Sequence, residues 1–365
     1  MGSRVRSTGS VTPSGTGAGD GAAPAGVVLA QASRDADESV PWLASGGRAL
    51  PLREWADEWR FARLRSVTEL VEQWREHESH IRALTSLRET RDRIVSRGDH
   101  IGSLRLEAPM RPRQIFCTIG NYRRQVVEAA VDAGDEAGAA HRRAAALELL
   151  EQRSSTGEPY VALTSSNRVG APLGTLAIAS GVDGLDWEVE IAVVVGATAH
   201  RVSPADAAGI IAGYCLANDL TIRSRVARPD LPALGSDWIQ SKGMAGSLPL
   251  RPWFVPAWQV PDRSRLRLRL SVNGAVMQDD TADDMLFGIE RQLAYVSQHT
   301  RLRPGDVLCT GSPAGFGIHH GRFLRAGDVM QAWVTGLGEQ CLRCVEEVPQ
   351  AWADRRRTPE KEQMQ

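Results

Sequence analysis

Lysine is almost missing from this chain. Of its 43 lysines and arginines, only Lys242 and Lys361 are lysines. Arginine therefore serves nearly everywhere a cation is wanted. Lys361 belongs to a charged C-terminal stretch, whereas Lys242 stands alone mid-chain in DWIQSKGMAGSLPL. A lone lysine there marks either a place that needs a compact ammonium, not a guanidinium, or a chance surface position. Excess charge is missing too. Basic and acidic residues nearly cancel, with a net charge of −1, so there is no field to attract nucleic acid or anionic lipid. No apolar run approaches the roughly 18 residues of a membrane span. The first 26 residues, rich in Gly, Ser, Thr, Ala and Pro, lack a signal-peptide core. They are expected to form a disordered tail on a cytoplasmic protein.

Paired cysteine chemistry is also absent. The five cysteines are Cys117, Cys215, Cys309, Cys341 and Cys344, an odd and scattered set that makes no disulfide framework. The one metal-like spacing, CLRC at 341–344, has no second CxxC to complete a zinc site and lies in a strand-like run, QCLRCVEEV. GxGxxG, GxxxxGK[ST], GxSxG and HExxH do not occur, which removes local support for nucleotide-binding, serine-hydrolase and zinc-protease readings.

What is present is α+β patterning in a chain of 365 residues, long enough for one large core or two. Residues 27–105 suggest a small α/β unit. VVLA opens as a strand. Val67, Leu70, Val71, Trp74, Ile81 and Leu84 recur at helical spacing after a cap at Ser66 or Thr68, with His77 and His80 expected to be solvated. A strand at 114–119 ends at Gly120. Residues 123–152 suggest two helices broken at DAGDEAG. Further on, SPADAAGIIAGYCLAND is expected to be a helix capped by Ser203 that runs into a strand, and ADDMLFGIERQLAYVSQHT a helix. SRLRLRLSVNGAVMQDD is expected to be a hairpin on an Asn273-Gly274 turn.

The stretch GLDWEVEIAVVVG carries the first chemical signal. Glu188 and Glu190 are two apart, so on a strand they share a face. Two like charges on an otherwise apolar element fit either an exposed strand end answered by arginines or a shared divalent cation. Hard oxygen ligands suit Mg²⁺, Mn²⁺ or Ca²⁺.

Seven blocks then occur in order between residues 106 and 346: FCTIGNY, DWEVEIAVVVG, GYCLANDLTIR, SKGMAGSLPLRPWFVP, VNGAVMQDD, LRPGDVLCTGSPAGFG and LRAGDVMQAWVTGLG. Together they resemble the fumarylacetoacetate hydrolase family. The resemblance implies a mixed β-roll or barrel over 106–348, behind the small N-terminal domain and ahead of a charged tail at 349–365. It implies that 123–158 is a helical lid, longer than is usual in the family, although a dimer contact fits that stretch as well. It implies a Mg²⁺ or similar ion held by Glu188, Glu190 and Asp219. Lys242 falls on the family's active-site lysine. Arg223, Thr310, Gly311, Ser312 and Tyr122 of the NY turn fall on substrate-facing positions. A small carbonyl-containing substrate and a homodimer are expected on the same ground, with C–C cleavage by hydrolysis or decarboxylation through a metal-stabilised enolate.

The pattern fails in two places. Gln125 stands where the family's hydrolases usually carry a histidine, three residues before the retained Glu128. A glutamine amide takes up no proton at neutral pH. The family's FxK motif has become VALTSSN, with Thr164 near the lysine position. Glu128 alone, His141, or His319 and His320 are the candidate replacement bases, and Glu128 is favoured. The missing histidine keeps two alternatives open: a hydratase, tautomerase, isomerase or cyclase on the same scaffold, and a binding protein without turnover.

Overall fold

The computed structural model describes residues 24–35, 37–55 and 61–347. The expected tails lie outside these residues, apart from 24–26. Among the described residues, the strands build one large mixed sheet and a five-stranded sheet, with two short two-stranded ribbons. In the large sheet, Val189–Val195 is central. It pairs antiparallel with Ile211–Asn218 on one side and with Val307–Cys309 on the other. Beyond Val307–Cys309 come Ile115–Ile119, in parallel, and then Tyr160–Thr164. On the far side, Ile211–Asn218 leads through Trp253–Pro256 to Val28–Arg34. The N-terminal strands Val28–Arg34, Val40–Ser45 and Arg48–Pro51 thus continue the large sheet.

Val189–Val195 is buried along its whole length, as the apolar run from Ile191 to Val195 requires. Ile191 and Val193 pack with Leu268, Leu270 and Met330 of the five-stranded sheet. Ala192 and Val194 pack on the opposite face with Val67, Leu70 and Trp74. Those three belong to the helices Val67–Glu72 and Trp74–Ser86, which Gln73 separates. Ser66 caps the first, accepting the Glu69 N–H at 3.0 Å. The hairpin forms as expected, with Asn273 at φ 52° and Gly274 at φ 82°.

Three local readings change. His77 is buried, with its ring 5.6 Å from that of Phe61, because it lies on the same face as Trp74 and Ile81. The stretch after Ser203 makes only a tight turn and the 3₁₀ segment Ala207–Ile210 before its strand. Gly209 and the β-branched pair Ile210-Ile211 disfavour further helix. The later helix begins only at Ile289, because Asn121 of the NY turn holds the preceding backbone: its carbonyl accepts the Leu286 N–H at 2.6 Å and its Oδ1 the Phe287 N–H at 3.0 Å. Cys341 and Cys344 lie on the strand Gly338–Glu346 and, three apart, point to opposite faces. No described helix is long and apolar enough to cross a membrane.

Candidate active site

The end of the central strand and the end of its neighbour meet at a group of carboxylates. Glu188 precedes Val189–Val195, Glu190 lies within it, and Asp219 follows Ile211–Asn218. The Val189–Asn218 pairing and the Asp219 N–H, which donates to Glu188 O at 2.9 Å, lock the two ends together. A ligand oxygen from each of the three lies within 4.8 Å of the others. All three are buried: Glu188 is 6% exposed, Glu190 1% and Asp219 0%. The exposed-strand-end reading of this pair is therefore excluded.

Cations surround the group unevenly. Lys242 Nζ, itself buried, lies 2.6 Å from Asp219 Oδ2, 2.7 Å from Thr221 Oγ1 and 3.4 Å from Glu188 Oε2. Burial alone would depress this ammonium, but Asp219 and Glu188 hold it above its ordinary value. Arg223 donates to Asp186 Oδ2 at 2.9 Å and to Glu188 Oε1 at 2.6 Å, and lies over the Phe316 ring at 4.2 Å. Burial would raise Asp219, yet Arg168 and Lys242 keep its carboxyl well below the usual range.

Glu190 is the exception. Among the described residues, no arginine or lysine forms an ion pair with it; the Gly311 N–H donates to its Oε2 at 2.8 Å. Burial, then Asp219 and Glu188, push its carboxyl well above the ordinary glutamate value. The local sum is four carboxylates, Asp186, Glu188, Glu190 and Asp219, against three cations, Arg168, Arg223 and Lys242. An unanswered buried carboxylate must take a proton or a cation. Three converging hard oxygens fit a divalent cation of the Mg²⁺ or Mn²⁺ type.

The remaining expected residues fall at different depths. Gln125, Ser312, Arg223, Lys242 and Glu188 line one cavity of about 240 Å³. Gly311 adopts φ +92°, and a Cβ there would approach Asn121 Cβ to 2.9 Å; glycine is what lets its N–H reach Glu190. Thr310 is buried, and its carbonyl accepts from Asn121 Nδ2 at 2.8 Å. Tyr122 is fully buried in the core beside Thr310, and burial, then Glu190, raises its phenol well above the ordinary value. Glu128 faces another way: its Oε2 accepts the Gly315 N–H at 2.8 Å and lies 3.8 Å from His319 Nε2. His319 Nδ1 is 2.7 Å from Asp132 Oδ2. His141 and His320 are exposed.

Sequence reasoning overlooked two residues that shape the centre. Arg168 is fully buried; it pairs with Asp219 Oδ1 and lies 3.0 Å from Ser247 Oγ and 3.3 Å from Thr164 Oγ1. The missing lysine near Thr164 was the available signal, since a site that loses one cation needs another. Asp186, the first residue of the DWEVE block, is buried and orients Arg223 while accepting the Gly317 N–H at 2.6 Å. It thereby ties the arginine to the loop that carries Phe316.

A mixed-sheet fold with three buried carboxylates converging at the strand ends, and cations answering all but one, defines a protein with a candidate divalent-metal site. The chain belongs to the fumarylacetoacetate hydrolase family: residues 114–345 match the fumarylacetoacetate (FAA) hydrolase C-terminal family. It is 37% identical over 187 residues to a protein of Burkholderia lata named provisionally as a hydrolase. That match spans 50% of this chain and 64% of the relative, so under two thirds of the relative's length is covered. The 2-hydroxyhepta-2,4-diene-1,7-dioate isomerase of Mycobacterium marinum shares the fold, with a TM-score of 0.60, 21% identity, and coverage of 88% of this chain and 99% of that one. So does the maleylpyruvate hydrolase of Sphingobium sp. SYK-6, solved with manganese(II) and pyruvate, with a TM-score of 0.63, 18% identity, and coverage of 87% and 99%.

Proposed function

We propose that this protein is a divalent-metal-dependent enzyme that cleaves a C–C bond in a keto acid or β-dicarbonyl compound. The observation that carries the reading is Glu190, buried with no cation paired to it among the described residues, beside Asp219 and beside Glu188, which lines the cavity together with Arg223 and Lys242. Glu188, Glu190 and Asp219 would hold the cation, which when bound would polarise a substrate carbonyl and stabilise negative charge developing on its oxygen. Manganese and pyruvate in the Sphingobium hydrolase support this choice of metal and of keto-acid head group.

The chain's own groups divide the remaining work. Arg223 and Lys242 bind and orient the substrate carboxylate, with charge-assisted hydrogen bonds that stay rigid because Asp186, Phe316 and Thr221 hold the donors. Ser312 adds a donor on the cavity wall, and Gly311 and Thr310 fix the loop beneath it. Gln125 positions water or a substrate oxygen through its amide. Glu128, once it swings from the Gly315 N–H toward the cavity, holds and moves the proton, with His319 beside it at 3.8 Å. The helices Arg123–Asp132 and Ala139–Thr156 act as a lid that limits water access.

Gln125 on the cavity wall favours a second reading, in which the same site isomerises or hydrates its substrate. The isomerase from Mycobacterium marinum offers a precedent on this fold. Incubation of the Mn²⁺-loaded protein with acylpyruvates, followed by mass spectrometry, separates the two. Hydrolysis adds water across the broken bond, giving one carboxylic acid and pyruvate; decarboxylation releases CO₂. A single product of unchanged mass selects isomerisation, and a single uncleaved product heavier by one water selects hydration. Binding without any conversion across the acylpyruvates contradicts an enzyme of this type.

A further inference from the structure

The cavity has two chemically distinct ends. Its cationic wall residues, Arg223 and Lys242, both stand at the carboxylate group. The rest of the wall includes Ile119, Tyr160, Val226 and Trp238, with neutral Ser236 and Gln125, and the half-exposed Tyr160 marks its solvent side. The Tyr160 and Trp238 rings lie 6.2 Å apart at 60°, and Trp238 Nε1 donates to Tyr160 Oη at 3.3 Å. Trp238 opens the short helix Trp238–Lys242. Four residues apart, its indole and the Lys242 side chain lie on one helix face. The metal-end lysine and the aromatic mouth thus share one rigid support.

That support is well braced. Asp237 caps the helix, accepting the Gln240 N–H at 3.0 Å. Arg228, the cation beside this cap, is committed to Asp237 at 3.1 Å and to Asp230 at 2.6 and 2.8 Å. Among the described residues, none that lines the outer wall offers a charge to a second anion. A carboxylate at the far end of a substrate would lose its water against ring faces with no cation in exchange. A flat uncharged group would gain apolar burial and ring contacts there. The volume of about 240 Å³ lies below the roughly 300–1,000 Å³ of most ligand pockets, which suits a keto-acid head and a single ring.

We infer that the substrate of this site is a keto acid whose distal end is an uncharged aromatic or flat unsaturated group, and that Trp238 with Tyr160 selects it over a dicarboxylate. This rests on the metal and keto-acid reading above. The test is calorimetric binding to the Mn²⁺-loaded protein of three non-reacting probes with one head group: oxalate, N-phenyloxamate and N-oxalylglycine. N-phenyloxamate is expected to bind at least about tenfold tighter than N-oxalylglycine, the worth of one good ring contact. Trp238→Ala should erase most of that ratio. Ser236→Arg, a change at an exposed position that leaves the helix intact, should narrow or reverse it. Equal binding of the two extended probes, or a ratio unmoved by both substitutions, overturns the inference while leaving the head-group reading intact. Failure of oxalate itself to bind overturns both.

Discussion

Asp219 is gripped at both oxygens: Lys242 Nζ lies 2.6 Å from Oδ2, and the Arg168 guanidinium pairs with Oδ1. A buried carboxylate held this way cannot turn, so its remaining lone pairs keep one direction. Lys242 reaches Thr221 and Glu188 as well, which makes one ammonium the junction between two proposed metal ligands. Removing it leaves buried charge uncompensated. Lys242→Met is expected to lower the stability of the metal-free protein by about 3–5 kcal/mol, the usual cost of breaking a buried pair. Differential scanning calorimetry in EDTA measures it. Lys242→Arg should not rescue, since a planar guanidinium would have to fit beside that of Arg168.

Arg168 supplies the cation that the Thr164 position lacks. Arg168→Ala is therefore expected to destabilise the chain by a similar margin, about 3–5 kcal/mol. Adding Thr164→Lys in the same chain should recover part of the loss, because Thr164 Oγ1 lies 3.3 Å from the arginine. Thermal denaturation of the single and double variants reads the coupling.

Much of this centre is legible in the amino-acid sequence. The alternation in DWEVEIAVVVG puts Glu188 and Glu190 on one face, and the order of the later blocks brings in Asp219, Arg223 and Lys242. The central strand can be read because burial on both faces leaves an unbroken apolar run. Arg168 itself cannot: the missing lysine signals that a replacement cation is needed, but a guanidinium four residues further on has no local pattern to single it out, and only the folded backbone carries it to Asp219. The turn after Ser203 mimics a helix start, since a capping turn and a helix share their first residues. The NY turn conceals its effect on the helix at Ile289 because Asn121 acts across 166 residues of sequence.

Stability of the metal-free protein should depend on pH from two sides. Asp219 has a folded-state value below its ordinary 3.8, so its contribution is complete above that value and is lost as pH falls toward the lower one. Glu190 has a folded-state value above its ordinary 4.5, so its contribution is complete below 4.5 and is lost as pH rises through the raised value. Mn²⁺ should restore the alkaline loss, where Glu190 is ionised, and not the acid loss. Melting temperatures across pH with EDTA or Mn²⁺ provide the check.

The proton-handling pair makes a separable prediction. Glu128→Gln and His319→Asn are each expected to lower kcat by about 100-fold or more, with KM and metal affinity little changed. Steady-state kinetics together with a Mn²⁺ titration of each variant separates this from damage to the metal centre. Equal loss of metal affinity would assign His319 a structural role only.

The central claim is that Glu190 is the buried carboxylate left for a cation. Isothermal titration of Mn²⁺ into wild type and Glu190→Ala tests it most directly. The account predicts one site per chain in wild type and an affinity lowered roughly 100-fold or more in the variant, since losing a direct ligand should cost at least as much as losing an outer-shell partner. No binding by wild type, or equal binding by both, would contradict it.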